Sequence, residues 1–320
     1  MMRRIFSIVL ATILTVILSF ALLLAACDGQ GSGEGDAAGT GVPSTTATDT
    51  AVTVTDMTGR TVMLDKPAEK VIVLTASACE IVYAIDAGST VVGRGEYCDW
   101  PAEVLAVPAL QSGTETNIEQ IIALSPDLVL MATMDQTLEQ IQQIENTGIA
   151  VYVSNANDIA GTYESILQIG TLMGKDSEAQ AVVDNMKATF DELSSQKVTG
   201  TVYFEVSPLE YGLWTAGNNT FMNEIAGLIG LENIFADVEG WAEISEEQVL
   251  ERNPDYIVTI AMYFGEGPTP EAEIAARPSW QSITAVQNGN ILNLANNELS
   301  RPGPRLADGA QELYDFVKGS

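Results

Sequence analysis

Histidine is absent from this chain of 320 residues. That removes the commonest general base and the commonest transition-metal ligand, so a Ser-His-Asp triad, an HExxH helix and a His-clustered zinc or manganese site are excluded. Positive charge is scarce: 14 Lys and Arg face 43 Asp and Glu, a formal net charge of -29. Phosphate backbones need cationic side chains, so nucleic acid is not the expected partner. Self-repulsion of such a surface favours a soluble monomer. Cysteine occurs three times, at 27, 79 and 98, with no CxxC spacing. GxSxG, Walker A and strand-following GxGxxG motifs are missing too, and no carboxylate pair stands out as an acid and its base. Binding without catalysis is the class these absences leave in front.

The strongest positive signal is a segment used twice. EQIIALSPDLVL at 119–130 returns as EQVLERNPDYIV at 247–258, an offset of 128 residues without a gap. Each copy reads as a short helix, stopped by Ser-Pro or Asn-Pro, followed by an apolar run that fits a buried parallel strand. Such a long-range repeat implies one supersecondary unit used in each of two similar halves. Two like halves and one connector are the plan of a bilobal α/β protein with a cleft between its lobes.

The ends and the connector fit that plan. Residues 1–26 carry Arg3 and Arg4, then an apolar run, then Leu24-Ala25-Ala26-Cys27. This is read as a signal peptide closed by a lipobox, with Cys27 taking the lipid. Residues 27–50, rich in Gly, Ser, Thr, Ala and Asp, are read as a tether. The first lobe is assigned to 51–174, opening on a hairpin turning at Thr58-Gly59. A helix is expected over 177–196, started by a Ser177/Gln180 capping box, with apolar residues at 179, 182, 183, 186, 190 and 193 on one stripe. At roughly 30 Å it is as long as a small domain is wide. It forms the connector, 175–197, and leaves 198–320 as the second lobe. Strand, helix and turn signals alternate in both lobes, the pattern of a mostly parallel sheet. They include a helix from Ser77 closed by Gly88, and one helix over 279–289. Cys79 and Cys98 are either a disulfide or two separate small residues, one in a helix and one in a loop; spacing does not choose.

With those features in place, the chain resembles the substrate-binding lipoproteins of ABC importers, of the iron-chelate and vitamin B12 class (class III). The segments that carry the resemblance are VIVLTASACEIVYAID, GEYCDWPAEV, NIEQIIALSPDLVL, SEEQVLERNPDYIV and SRPGPRL, and it extends over about residues 52–318. It implies two Rossmann-like lobes joined by a single long helix, with the ligand between them. It implies Tyr97, Trp214 and Trp241 as cleft aromatics, and Asn297 where vitamin B12-binding members carry an aspartate. Gly113 stands where those members carry a tryptophan. Arg301 and Arg305 are candidates to meet ligand carboxylates, while Trp100 and Trp280 read as structural. Glu119 and Glu247, the first letters of the two copies, match the glutamates that dock on the permease dimer. A first-turn glutamate also complements its helix dipole. The implied protein is anchored outside the cell membrane and needs no cofactor. It captures a corrinoid, ferric siderophore or haem and passes it to an ABC permease with its ATPase subunits. A chelatase-like enzyme of similar bilobal plan, and a surface metal-ion binder or adhesin, are the competing readings.

Overall fold

The computed structural model describes residues 51–320 except 114, 134–135, 264 and 295–297. The signal peptide, the tether, Cys27 and Asn297 therefore lie outside the described residues. Strands β1 (Val52–Thr55) and β2 (Thr61–Leu64) pair antiparallel as the expected hairpin. Gly59 turns it at φ +83°, a conformation open to glycine at little cost. Asp56 locks the turn by accepting the backbone N–H groups of Thr58 and Arg60, each at 3.0 Å.

The first lobe then runs β3 (Val71–Val73), α1 (Ala76–Ala84), β4 (Val91–Gly95), β5 (Ala109–Leu110), α2 (Ile118–Leu124), β6 (Leu128–Ala132), α3 (Leu138–Glu145), β7 (Ala150–Ser154) and α4 (Ile159–Leu172). Its five strands are all parallel, in the order β5-β4-β3-β6-β7. The chain leaves β3 toward one edge through β4 and returns to its other side through β6. The carboxyl end of β3 is thus a switch point, where open parallel sheets leave a crevice.

Helix α5 (Asp176–Ser195) follows, then β8 (Thr201–Ser207), β9 (Trp214–Ala216), α6 (Phe221–Ile229), β10 (Glu232–Asn233), β11 (Trp241–Glu243), α7 (Glu246–Arg252), β12 (Tyr256–Thr259), α8 (Pro270–Ala276), α9 (Thr284–Asn288), β13 (Ile291–Asn293) and α10 (Leu306–Gly319). The second sheet has the order β11-β9-β8-β12-β13, with β10 also paired to β8. β10, β8, β12 and β13 are parallel; β9 runs against β8, and β11, antiparallel to β9, runs in the direction of β8 again. The chain is therefore an α/β protein of two parallel-sheet lobes with one long helix between them in sequence.

The two copies of the repeat are α2 with β6 and α7 with β12, and the likeness is finer than the letters. Asn117 and Ser245 cap the helices by accepting the N–H of Gln120 and of Gln248. Ser125 and Asn253 end them in the left-handed conformation, at φ 49° and 43°. The conserved letter Asp then ties each new strand to the one beside it. Asp127 accepts the N–H groups of Glu69 and Lys70, just before β3, and Asp255 accepts the N–H of Thr201, the first residue of β8.

Three local expectations are corrected. Helix α5 begins at Asp176 and has no side-chain cap; the Ser177 hydroxyl bonds Glu178 instead of the Gln180 backbone. Two acidic residues in the first turn complement the dipole without a capping box. The helix from Ser77 ends at Ala84, and the left-handed residue is Asp86, not Gly88. Gly88 is needed for close approach: a Cβ there would stand 2.5 Å from the Tyr83 ring. Residues 279–289 do not form one helix. A 3-10 turn, Pro278–Trp280, is followed by a break at Ile283 and then α9.

The stripe on α5 is where the halves meet. Ala179, Val183, Met186, Phe190 and Leu193 are buried in one continuous core, which also holds Val71, Leu128 and Ile169 from the first lobe and Val202, Phe221 and Leu313 from the second. Because that core is shared, residues 51–320 are expected to unfold in one transition, with fluorescence and far-UV circular dichroism superimposing along a urea titration. Phe190→Ala should remove about 3–5 kcal/mol and move both signals together. Separate midpoints would mean independently stable lobes.

Candidate ligand cleft

Between the sheets lies a cleft of about 660 Å³. Its first-lobe wall is built at the carboxyl ends of strands: Leu74 and Thr75 follow β3, Thr133 follows β6, and Ser154, Asn155 and Asn157 end or follow β7. The second-lobe wall comes from Val206 and Ser207 of β8, Ile260 and Met262 after β12, and Trp214 and Trp241 of β9 and β11. Carboxyl ends converge because every parallel strand in each lobe points the same way.

The aromatic residues expected in the cleft are brought together. Tyr97, Trp214 and Trp241 all line it. Tyr97 is 67% exposed and Trp214 39%, large apolar surface left uncovered. Trp241 is half-buried, held edge-to-face against Phe221 with centroids 5.4 Å apart. Phe221 and Met262 also line the cleft and had no distinguishing sequence signal. The other two tryptophans differ from each other. Trp280 is fully buried, and its Nε1 donates to Glu246 at 2.9 Å. Trp100 is half exposed and lies under the Arg305 guanidinium at 4.3 Å. It is not a cleft residue, but neither is it buried in a core.

Arg301 reaches the cleft and is already engaged. Its Nη1 donates to Glu80 at 3.0 Å and Asp99 at 2.6 Å, and its Nη2 to the Tyr97 carbonyl at 3.3 Å. Arg305 donates to the same Glu80 oxygen at 3.3 Å and to Glu298. Glu80 belongs to α1 and the arginines to the segment leading into α10, so this cluster ties the first lobe to the end of the chain. A second tie lies nearby: Phe221 N–H donates to the Asn157 carbonyl, and Ile159 N–H to Glu224, each at 2.8 Å. Glu80 was missed from sequence. Its signal was a carboxylate inside the apolar helix SACEIVYA, a place where a charge persists only if paired.

The rest of the wall is uncharged, with apolar side chains such as Leu74, Val206 and Ile260 beside polar ones. Among the described residues lining the cleft there is no lysine, aspartate or glutamate, and Arg301 is the one cation. Thr133 donates to Asn155 at 2.6 Å. Gln136 accepts the Ala132 N–H at 3.0 Å, while its amide nitrogen is buried with no partner among the described residues. An orphaned donor on a cleft wall suits a ligand carbonyl or other neutral acceptor.

Glu119 and Glu247 are elsewhere. Each is exposed and occupies the second position of its helix, α2 and α7 respectively. Its own backbone N–H and the Ser245 hydroxyl hold the Glu247 carboxyl below the usual range.

The sequence profile named "Periplasmic binding protein" matches residues 71–298. An ABC transporter substrate-binding lipoprotein of Bacillus subtilis, YvrC, is 32% identical over 275 residues, which cover 83% of this chain and 85% of that protein. The crystal structure of the periplasmic vitamin B12-binding protein BtuF of Vibrio cholerae aligns at a TM-score of 0.67 and 26% identity, covering 79% of this chain and 97% of the other. An ABC-type Fe3+-hydroxamate transport structure from Saccharomonospora viridis gives 0.69 and 26%, covering 84% and 99%.

Burial pushes the Glu80 carboxyl up to about 7, even though both guanidiniums pull it down. Its bare second oxygen adds to the cost of ionisation. A carboxyl raised on folding supports the native state fully below its unfolded value, near 4.5, and loses that support as pH rises through about 7. The stability of wild type relative to Glu80→Gln should therefore fall between pH 5 and pH 8 in urea titrations. A flat difference would place the Glu80 titration below that range.

Proposed function

The chain belongs to the periplasmic binding protein family of ABC importers, and on that premise we propose that it is a lipid-anchored receptor for an uncharged metal chelate, a corrinoid before a ferric hydroxamate. The observation that carries the ligand class is the electrostatics of the cleft. A chain with 43 acidic residues presents no carboxylate among the described residues of that wall. Arg301, the one cation among the described residues of the wall, is held by Glu80 and Asp99. A ligand bearing free carboxylates, such as haem, would have to draw Arg301 away from those partners, which costs a buried pair. A neutral macrocycle fringed with amides needs stacking area and hydrogen bonds. Trp214, Trp241 and Tyr97 offer the first, and Gln136, Asn155 and Thr133 the second. The named ligands of the vitamin B12-binding and hydroxamate-transport relatives support the same choice.

Delivery rests on the repeat. Two exposed glutamates at equivalent helix positions suit a pseudo-symmetric pair of basic pockets on a permease dimer, where paired carboxylates fix orientation. Anchoring rests on Cys27 and its lipobox, in keeping with the lipoprotein named among the relatives, and places the folded part outside the cell membrane. Ties between the lobes, at Glu80–Arg301 and Asn157–Phe221, favour small hinge movements over wide closure. The chelatase-like reading requires groups that move protons from a macrocycle, and the neutral wall supports capture instead.

Two measurements test these readings. Tryptophan fluorescence of the purified chain should be quenched at sub-micromolar cyanocobalamin or a ferric hydroxamate, and not by haemin at that concentration. Trp241→Ala should weaken binding by tenfold or more. Tight haemin binding would overturn the neutral-ligand reading. For delivery, the Glu119→Lys/Glu247→Lys double variant should keep ligand affinity while losing at least tenfold of its stimulation of the cognate permease ATPase. Undiminished stimulation would remove the docking role.

A further inference from the structure

Two cysteines stand side by side beneath the cleft wall. Cys79 lies in the second turn of α1, and Cys98 in the loop after β4. Both are buried, at 0% and 1% exposure. The Cys79 thiol donates to the Trp100 carbonyl at 3.3 Å, two residues beyond Cys98, and the Cys98 thiol to the Val73 carbonyl at 3.5 Å, at the end of the strand that leads into α1. The nearness of the two thiols pushes Cys79 up and Cys98 down from the ordinary thiol range. The backbone on each side is fixed. Cys79 N–H donates to the Thr75 carbonyl and Cys98 N–H to the Gly95 carbonyl, each at 3.1 Å. The loop is wrapped around Arg94, whose guanidinium donates to the carbonyls of Gly95, Glu96, Cys98 and Val107 at 3.2–3.3 Å.

We propose that Cys79 and Cys98 form a disulfide in the mature protein, stapling the cleft loop to α1. The proposal rests on the reading that the folded part lies outside the cell membrane, where dithiols become oxidised. With Cys27 committed to the lipid, the remaining cysteines form an even pair. Both are free thiols in this structure, so bond formation requires the sulfurs to leave the Trp100 and Val73 carbonyls and close to the S–S bond length of about 2 Å. Because both sulfurs are buried once the chain is folded, oxidation belongs to folding after export. The Cys98 thiolate attacks one sulfur of an extracytoplasmic disulfide oxidant and expels the first thiol of that oxidant. The Cys79 thiolate then attacks Cys98 in the mixed disulfide and expels the second. One S–S bond breaks and one forms. Two electrons and the two thiol protons leave with the reduced oxidant.

The site gains from the bond through the neighbours of Cys98. Tyr97 stands on the cleft, and Asp99 holds Arg301 at 2.6 Å. A covalent tie between them fixes both to the helix that carries Glu80. It also closes the chain from residue 79 to residue 98, which restricts the unfolded state.

The test uses the full chain, expressed with its own leader in a bacterial host. Thiols are trapped with N-ethylmaleimide in acid denaturant, and the chain is digested and mapped. The expected result is a peptide cross-linked through Cys79 and Cys98 with no maleimide on either. After reduction, both cysteines take the label, the unfolding midpoint falls by roughly 5–10 °C, and amide exchange over 96–101 quickens. Cys79→Ser and Cys98→Ser should each lower the midpoint, and the double variant by no more than either single one, because all three lose the same bond. Full maleimide labelling of both cysteines in the unreduced, exported chain overturns the proposal. If the chain is instead retained inside the cell, the export reading fails by itself. Refolding the denatured chain with oxidised glutathione then decides: a 79–98 bond upholds the pairing, and free thiols refute it.

Discussion

One buried stripe governs this molecule. Ala179, Val183, Met186, Phe190 and Leu193 of α5 enter a core that contains strands and helices of both lobes. A long helix packed on both sides cannot bend without exposing that stripe to water, at a cost of about 25 cal/mol for each Å² of apolar surface uncovered. The gap between the sheets is therefore held open by packing, and its shape exists before any ligand arrives. Preformed clefts lose little ordering entropy on binding. This suits a receptor that must both capture its ligand and give it up.

Charge is sorted with equal consistency. Most acidic residues face solvent, while the described cleft wall carries none. The buried carboxylates are matched to arginines. Glu205 meets Arg277 through two parallel hydrogen bonds, at 2.7 and 2.9 Å, inside the second lobe. Glu80 meets Arg301 and Arg305 where the end of the chain returns to the first lobe. Such pairs contribute little net stability against apolar packing, yet breaking one strands a charge in a low-dielectric interior. Their effect is to fix position. The first fixes α8 against β8, and the second fixes the cleft loop, α1 and the segment before α10 relative to one another. Arg301 belongs at once to that second cluster and to the cleft wall, so the cleft surface and the position of the chain end meet in one guanidinium.

The repeat shows how one sequence unit serves two ends. Its interior letters build structure: Pro and Asp stop the helix and tie the new strand to its neighbour through Asp127 and Asp255. Its first letter, Glu119 or Glu247, contributes nothing to either core and stands in solvent. A position outside the packing is free to be kept for a partner, which is why the same twelve residues support both a fold argument and a docking proposal.

The sequence by itself determined the class of the protein. The doubled segment and the connector stripe lead to two α/β lobes, because periodicity is a local quantity that a linear chain displays. It also marked Tyr97, Trp214 and Trp241, through their resemblance to known cleft positions, and Arg301, as a cation in SRPGPRL suited to a ligand carboxylate. Tertiary structure alone decided what those residues face. That Arg301 is engaged by Glu80 and Asp99, that Gln136 holds out an unpartnered amide, that Phe221 supports Trp241, and that the Cys79 thiol reaches the Trp100 carbonyl all depend on residues distant in the chain meeting in space. Local misreadings had the same origin. Ser177 lacks its capping box, and 279–289 breaks at Ile283, because neighbours in the folded core, rather than spacing along the chain, set where those helices begin and stop.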